Sequence, residues 1–250
     1  MFTQIAVIAD IHGNVWALDA VLKDIERRNI APIVNLGDSL WGSLDPVGTA
    51  DRLMKPNISS ISGNQDRDIL APSEVVRQSA DYPFVTQQLN ESHFDWLKSQ
   101  PQTLVVEGLF CCHGTPSSDE TYLLEKVTPH GVFLNDSSSI LSHLQGVTES
   151  VIVCGHSHQA RTVWLPSGQL VVNPGSVGIP AYDHDAPYPH VMEAGSPHAR
   201  YVILSRDANG WTVEHIALPY DWDYAASIAR QNGREDRAQW IESGRAQLPS

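Results

Sequence analysis

Seven residues carry side chains able to hold metal ions and stand in a suitable pattern: Asp10, His12, Asp38, Asn64, His113, His156 and His158. Asp10 and His12 lie two apart, as do His156 and His158, so on an extended backbone each pair points to one side. Carboxylate, imidazole and amide donors without thiolates suit Mn, Fe, Zn, Ni or Co better than a structural zinc finger. Seven ligands are too many for one tetrahedral ion, and they suit two divalent metal ions sharing a bridging carboxylate. Two ions about 3.5–4 Å apart stabilise the attacking and leaving oxygens of an in-line displacement.

Delivering these residues to one place requires particular elements. Short apolar runs end abruptly at each of them: IAVIA before Asp10, PIVNL before Gly37-Asp38, ISSI before Ser62-Gly63-Asn64, LFCC before His113, and VIVC before Gly155-His156. Runs of four to six residues rich in Val and Ile and bounded by glycine read as buried strands. After Asn14, the residues Leu18, Val21, Leu22 and Ile25 share one helical face, which predicts a helix ending near Asn29. Strand, helix, strand at this spacing is a βαβ signal, and ligands of open α/β sheets bind beyond the carboxyl ends of the strands. Further helices are expected over residues 84–98, stopped by Pro101, and between residues 136 and 145. Residues 161–165 with 169–173, and 200–204 with 211–216, read as hairpins. Residues 179–199 show little periodicity and read as a long loop, and residues 221–246 read as helical and amphipathic.

The motifs D-x-H at Asp10-His12, G-D at Gly37-Asp38, G-N at Gly63-Asn64, H-G at His113-Gly114 and G-H-x-H at Gly155 to His158 resemble, in order and interval, those of the calcineurin-like metallophosphoesterase superfamily. The opening IADIHGN looks like the starts of diadenosine tetraphosphatase and serine/threonine phosphatases. The later NPGSVG, and the tail from Pro219-Tyr220-Asp221, are similar to the small bacterial and archaeal phosphodiesterase branch. The resemblance implies an α/β fold of two mixed β-sheets packed as a sandwich flanked by helices, a four-layer αββα arrangement. It implies a phosphoesterase domain over residues 1–218, with residues 219–250 as a helical appendage. One metal would take Asp10, His12, Asp38 and His158, and the other Asp38, Asn64, His113 and His156, with a hydroxide between them attacking phosphorus. Much of the superfamily has His directly after the third-motif Asn. Here that position is Gln65, which donates a hydrogen bond but transfers no proton near neutral pH, so a preference for diesters or anhydrides over alkyl monoesters is expected.

Other residues have bland readings beside the functional ones. Asn14 is an N-cap or a support of the metal shell. Arg67 and Arg161 are surface arginines or phosphate contacts. His93 is expected on the surface. His184 and His190 belong to the loop reading, from which they could reach the site, and Asn173 and its turn shape the rim. The three cysteines, Cys111, Cys112 and Cys154, lack a CxxC spacing and read as buried free thiols.

The bulk numbers fit a cytoplasmic hydrolase of a small phosphorylated substrate. Hydrophobic residues make up 42% of 250, a globular level. The N-terminal stretch has no basic region or cleavage site of a signal peptide, and no run is long enough to span a membrane. A formal charge of −13 without basic clusters disfavours extended nucleic acid as a partner. The sequence leaves the oligomeric state open. The competing readings are a dinucleoside polyphosphate hydrolase, a protein phosphatase and, from another class, a catalytically weak metal-binding regulator or interaction scaffold.

Overall fold

The computed structural model describes residues 3–248. In chain order the elements are β1 (Thr3–Ile8), α1 (Val15–Arg27), β2 (Ile33–Asn35), α2 (Pro46–Leu53), β3 (Ile58–Ser60), α3 (Asn64–Leu70), α4 (Glu74–Gln78), α5 (Asp81–Thr86) and α6 (Glu91–Ser99). Then come β4 (Thr103–Val106), β5 (Leu109–Cys112), β6 (Glu125–Thr128), β7 (Gly131–Leu134), α7 (Ser137–His143), β8 (Val151–Val153), β9 (Arg161–Trp164) and β10 (Leu170–Asn173). The chain closes with β11 (Ala181–His184), β12 (His190–Glu193), β13 (Ala199–Asp207), β14 (Gly210–Leu218), α8 (Trp222–Gln231) and α9 (Glu235–Ser243).

Two five-stranded mixed sheets form the centre, ordered β14-β13-β1-β2-β3 and β4-β5-β8-β10-β9. In the first, β1, β2 and β3 are parallel. In the second, β5, β8 and β10 are parallel. The alternation along each strand divides its side chains between two layers. Ile5, Val7, Val34 and Leu36 meet Cys111, Val153 and Val172 between the sheets. Ala6 and Ile8 turn the other way, onto Leu18, Val21 and Ile25 of α1. On the far side Cys112, Ile152 and Val171 pack under Ile140 of α7. Strands covered on both faces read as continuous apolar runs, which is why IAVIA and VIVC carry no polar alternation. The expected fold of two mixed sheets with helices outside is therefore present. The three cysteines are free and buried.

Three expectations need correction. The helix expected over 84–98 is two helices, α5 and α6, because Asn90 caps α6 by accepting the His93 N–H. His93 is not a surface residue: it is 2% exposed, its Nδ1 accepts the Asn90 N–H, and its Nε2 lies 3.2 Å from Asp51 Oδ1. Residues 179–199 are not a loop throughout but contain the hairpin β11–β12, registered from Ala181 opposite Glu193 to His184 opposite His190. The tail expected to be helical over residues 221–246 is so, as two helices, α8 and α9, with Gly233 at a φ of 78° between them. Helices α8 and α9 bury Ala225, Ala226, Ala229, Ala238 and Ile241 against Leu44 and Ile179, two residues of the loops around the strand ends. Among the described residues no helix is long and apolar enough to cross a membrane.

Candidate metal centre

The carboxyl ends of the parallel strands of both sheets open onto one rim. The loops after β1 and β2 are joined by backbone bonds: Asp10 N–H to Gly37 O at 3.0 Å, His12 N–H to Asp38 O at 3.0 Å and Gly13 N–H to Ser39 O at 2.9 Å. Asp10, His12, Asp38, His156 and His158 all have left-handed backbones, with φ between 52° and 68°. Such a conformation costs a non-glycine residue on the order of 1–3 kcal/mol and persists only where the surroundings enforce it. It turns each side chain away from the direction of its strand and into the rim. Gly63 is required by the resulting crowding, since a Cβ there would lie 2.2 Å from Asp38 Oδ1.

The four imidazoles share one device: a ring nitrogen of each faces a backbone carbonyl. His12 Nδ1 lies 3.2 Å from Trp41 O, His113 Nδ1 2.8 Å from Leu36 O, and His158 Nδ1 2.6 Å from Ile179 O. For His156 it is Nε2, 3.0 Å from Glu120 O. A carbonyl only accepts, so each of these nitrogens is the N–H. The other nitrogen of each neutral ring is then a bare lone pair. Those lone pairs converge: Nε2 of His12 and Nε2 of His158 are 3.1 Å apart, and His113 Nε2 is 3.1 Å from Asn64 Oδ1. Acceptors facing acceptors in a buried pocket repel unless a cation or proton lies between them.

The carboxylates complete the pattern. Asp10 Oδ2 accepts the His156 N–H at 3.2 Å, whereas its Oδ1 is buried without a hydrogen-bond donor, 3.5 Å from His158 Nε2. Asp38 Oδ1 accepts the Gln65 N–H at 2.9 Å, and its Oδ2 lies 3.5 Å from His113 Nε2. Burial pushes both acids up, but the imidazoles prevail: His158 holds Asp10 below its ordinary value, and His113 does so for Asp38. Burial, reinforced by the charge of His158, pulls His12 down to about 4. Burial and His113 do the same to His156, also to about 4. Burial pulls His113 down too, yet the Asp38 carboxylate overrides it and raises that ring to about 10. A proton on His113 thus occupies a place that a cation would take. One donor atom each from Asp10, His12 and His158, and one each from Asp38, His113 and His156, form two groups whose atoms lie within 4.8 Å of one another. With Asn64 beside His113, an all-oxygen-and-nitrogen donor set of this kind fits divalent metal ions.

Residues 3–193 match the calcineurin-like phosphoesterase superfamily domain. The chain belongs to that superfamily. It is a metal-dependent phosphoesterase, as the family is. An uncharacterized protein of Methanocaldococcus jannaschii is 25% identical over 240 residues, 88% of each chain. The metallophosphoesterase of Sphaerobacter thermophilus has a similar structure at TM-score 0.73 and 22% identity, covering 97% of this chain and 99% of its own. A hypothetical protein of Pyrococcus horikoshii is similar at TM-score 0.74 and 19% identity, covering 98% of this chain and 100% of its own.

In this phosphoesterase the rim opens into a cleft of about 1090 Å³, lined on one side by His12, Asp38, Asn64, Gln65, His156 and His158. Gln65 has its side-chain Oε1 buried and unpartnered. Asn14 caps α1 through the Ala17 N–H and donates to Gly178 O and Tyr220 Oη. The arginines singled out by sequence are committed elsewhere, Arg67 to Asp119, Asp68 and Glu120, and Arg161 to Glu125. Asn173 donates to Gly155 O and Ser157 Oγ, and Ser176 Oγ donates to Asp10 O, so the NPGSVG turn holds the rim loops. His184 lines the cleft, while His190 is buried behind it beside Tyr122.

Sequence reasoning missed several supports. Asp66 accepts the Ser39 N–H at 3.0 Å and the Gly63 N–H at 3.1 Å, tying the loop after β2 to the loop after β3. Burial and then the charge of Asp38 push it up to about 7, against those two donors. Tyr122 stacks on His156 with ring centroids 4.7 Å apart, and Tyr182 Oη donates to His156 O at 3.1 Å. An acid three residues after Gly63, at the start of α3, was the one available signal for Asp66; the tyrosines left none.

Proposed function

We propose that the protein is a dinuclear phosphodiesterase acting on a small phosphorylated molecule such as a nucleotide. Asp10, His12, Asp38 and His158 would hold one divalent ion, and Asp38, Asn64, His113 and His156 the other, with Asp38 common to both sets. The ions are drawn from Mn, Fe, Zn, Ni and Co. The observation that carries this reading is the set of four imidazoles, each pinned by a backbone carbonyl at one ring nitrogen, whose donor atoms gather with those of Asp10 and Asp38 into two clusters. When bound, such ions supply Lewis acidity, neutralising phosphate charge and lowering the pKa of water.

The chain's own residues do the rest. The pinned rings hold the donors in position, so no reorganisation is needed as charge develops at phosphorus. Asn64, next to His113, and Gln65 face the cleft and donate amide hydrogen bonds toward the phosphate oxygens. Gln65 offers no proton to a poor leaving group, which favours diesters and anhydrides with better ones. The cleft is far larger than a phosphate group and has room for both arms of a diester.

The test is turnover of an aryl phosphodiester and an alkyl phosphomonoester after chelation and re-addition of Mn²⁺. Metal-dependent diester hydrolysis is expected, falling on the order of 10³-fold in Asp38→Asn with loss of bound metal. Stoichiometric metal uptake without turnover of any phosphate ester would move the protein to the regulator or scaffold reading.

A further inference from the structure

Arg237 comes from α9 and lines the same cleft as His12 and Asp38. It is 6% exposed. A guanidinium carries five N–H donors, yet among the described residues Arg237 makes one hydrogen bond, from Nη2 to Asp81 Oδ2 at 2.8 Å. Its Nε is buried with no partner. Asp81 does not neutralise it alone, because the same Oδ2 also accepts from Arg234. Arg234 has a carboxylate of its own in Asp236, bonded at 2.9 and 2.6 Å. Arg237 is therefore a buried cation with most of its donors unused, a costly arrangement unless an anion completes it.

Its position selects the anion. A methyl group built on Gly42 would lie 2.6 Å from His12 O and 3.5 Å from Arg237 Nη1, so the guanidinium and the His12 backbone flank the same glycine. Trp41, whose carbonyl holds His12, neighbours that glycine and lines the cleft. One helical turn on, Trp240 also lines the cleft, with its ring centroid 6.0 Å from Arg237 Cζ. Neither Arg67 nor Arg161 lines this cleft, and among the described residues Arg237 is the one arginine that does. We propose that Arg237 binds a non-bridging phosphate oxygen of the substrate, so that the C-terminal helix α9 supplies part of the substrate site. This rests on the phosphodiesterase reading above for the identity of the substrate. Guanidinium binds phosphate through paired, charge-assisted N–H donors, a geometry that lysine does not reproduce.

The experiment titrates inorganic phosphate into the Mn²⁺-loaded full chain by calorimetry, for wild type, Arg237→Gln and Arg237→Lys. Metal content and thermal midpoint are measured alongside. Arg237→Gln is expected to weaken phosphate about 10- to 100-fold at unchanged metal content. Arg237→Lys is expected to fall between it and wild type. With an aryl diester, KM should rise by a similar factor while kcat changes much less. Phosphate affinity in Arg237→Gln within twofold of wild type overturns the proposal, as does a loss that follows metal loss. If Arg237→Gln does not fold, Arg237→Lys decides, and wild-type affinity in it overturns the guanidinium contact. Absence of turnover in wild type sinks the phosphodiesterase reading alone, because the phosphate titration still judges Arg237.

Discussion

His12 and His158 bring their Nε2 atoms within 3.1 Å of each other, although both rings have given their one N–H to the carbonyls of Trp41 and Ile179. Two lone pairs at that distance are a local strain that a shared cation relieves. Metal binding is then coupled to the stability of the rim. At about a hundredfold excess over its Kd, a ligand that binds only the folded chain adds about 2.7 kcal/mol, which corresponds to roughly 5–10 °C for a domain of this size. Chelation followed by calorimetric melting should lower the midpoint by that order, and Mn²⁺ should restore it. An unchanged midpoint in chelated protein shown to be metal-free would contradict this coupling.

Gln65 gives its backbone N–H to Asp38 Oδ1 and lines the cleft, and in the proposed function it stands in for a proton donor to the leaving group. Gln65→His is expected to raise kcat for an alkyl phosphomonoester by about 10²-fold and to leave activated aryl diesters nearly unaffected. The gain should follow a basic limb in the pH–rate profile. Equal changes for both ester types would show that the position acts through binding instead.

Asp24 is a separate, structural acid on α1. It accepts Tyr201 Oη at 2.7 Å and Arg28 Nε at 2.9 Å, and it also pairs with Arg27. Burial pushes its pKa up, but the Tyr201 hydroxyl, Arg27 and Arg28 together hold it below the ordinary value. A depressed carboxyl contributes stability that is present above its unfolded pKa, about 3.9, and is lost as pH falls through the folded one. Asp24→Asn should therefore cost about 1–3 kcal/mol at pH 7 and flatten the acid limb of a denaturant-midpoint-versus-pH curve. A parallel curve, displaced equally at all pH values, would mean that the carboxylate charge plays no part.

The rim was legible in the sequence because every candidate donor terminates an apolar run, so chain order alone brought all seven together. The same logic found β1, β2, β5 and β8, whose two-sided burial leaves no polar interruption. It failed where local signals conflict with tertiary context. The β11–β12 hairpin is four residues per strand with His, Asp and Pro around it, too short and too polar to register as alternation. His93 looked like a helix-surface residue, but its ring is drawn inward by the Asn90 cap and by Asp51. Arg237 lies far along the chain from His158, the last of the candidate donors, and the packing of α9 against Leu44 and Ile179 brings it to the cleft.

Asp66 offers the sharpest test of how the rim is held. Its two oxygens accept the N–H groups of Ser39 and Gly63, and those residues adjoin Asp38 and Asn64. Removing the carboxylate leaves two buried donors without acceptors, at roughly 1–3 kcal/mol each. It also frees the two loops to move apart, and groups that orient metal ligands typically govern affinity by 10- to 100-fold. Asp66→Ala should lower the urea midpoint and weaken Mn²⁺ binding by about that factor. Asp66→Asn keeps an oxygen for one of the N–H groups and should show a smaller loss of both. If Asp66→Ala loses stability while Mn²⁺ binds as in wild type, the acid serves the fold of the loops alone, and the candidate donors Asp10, His12, Asp38, His156 and His158 are held by their own left-handed backbones.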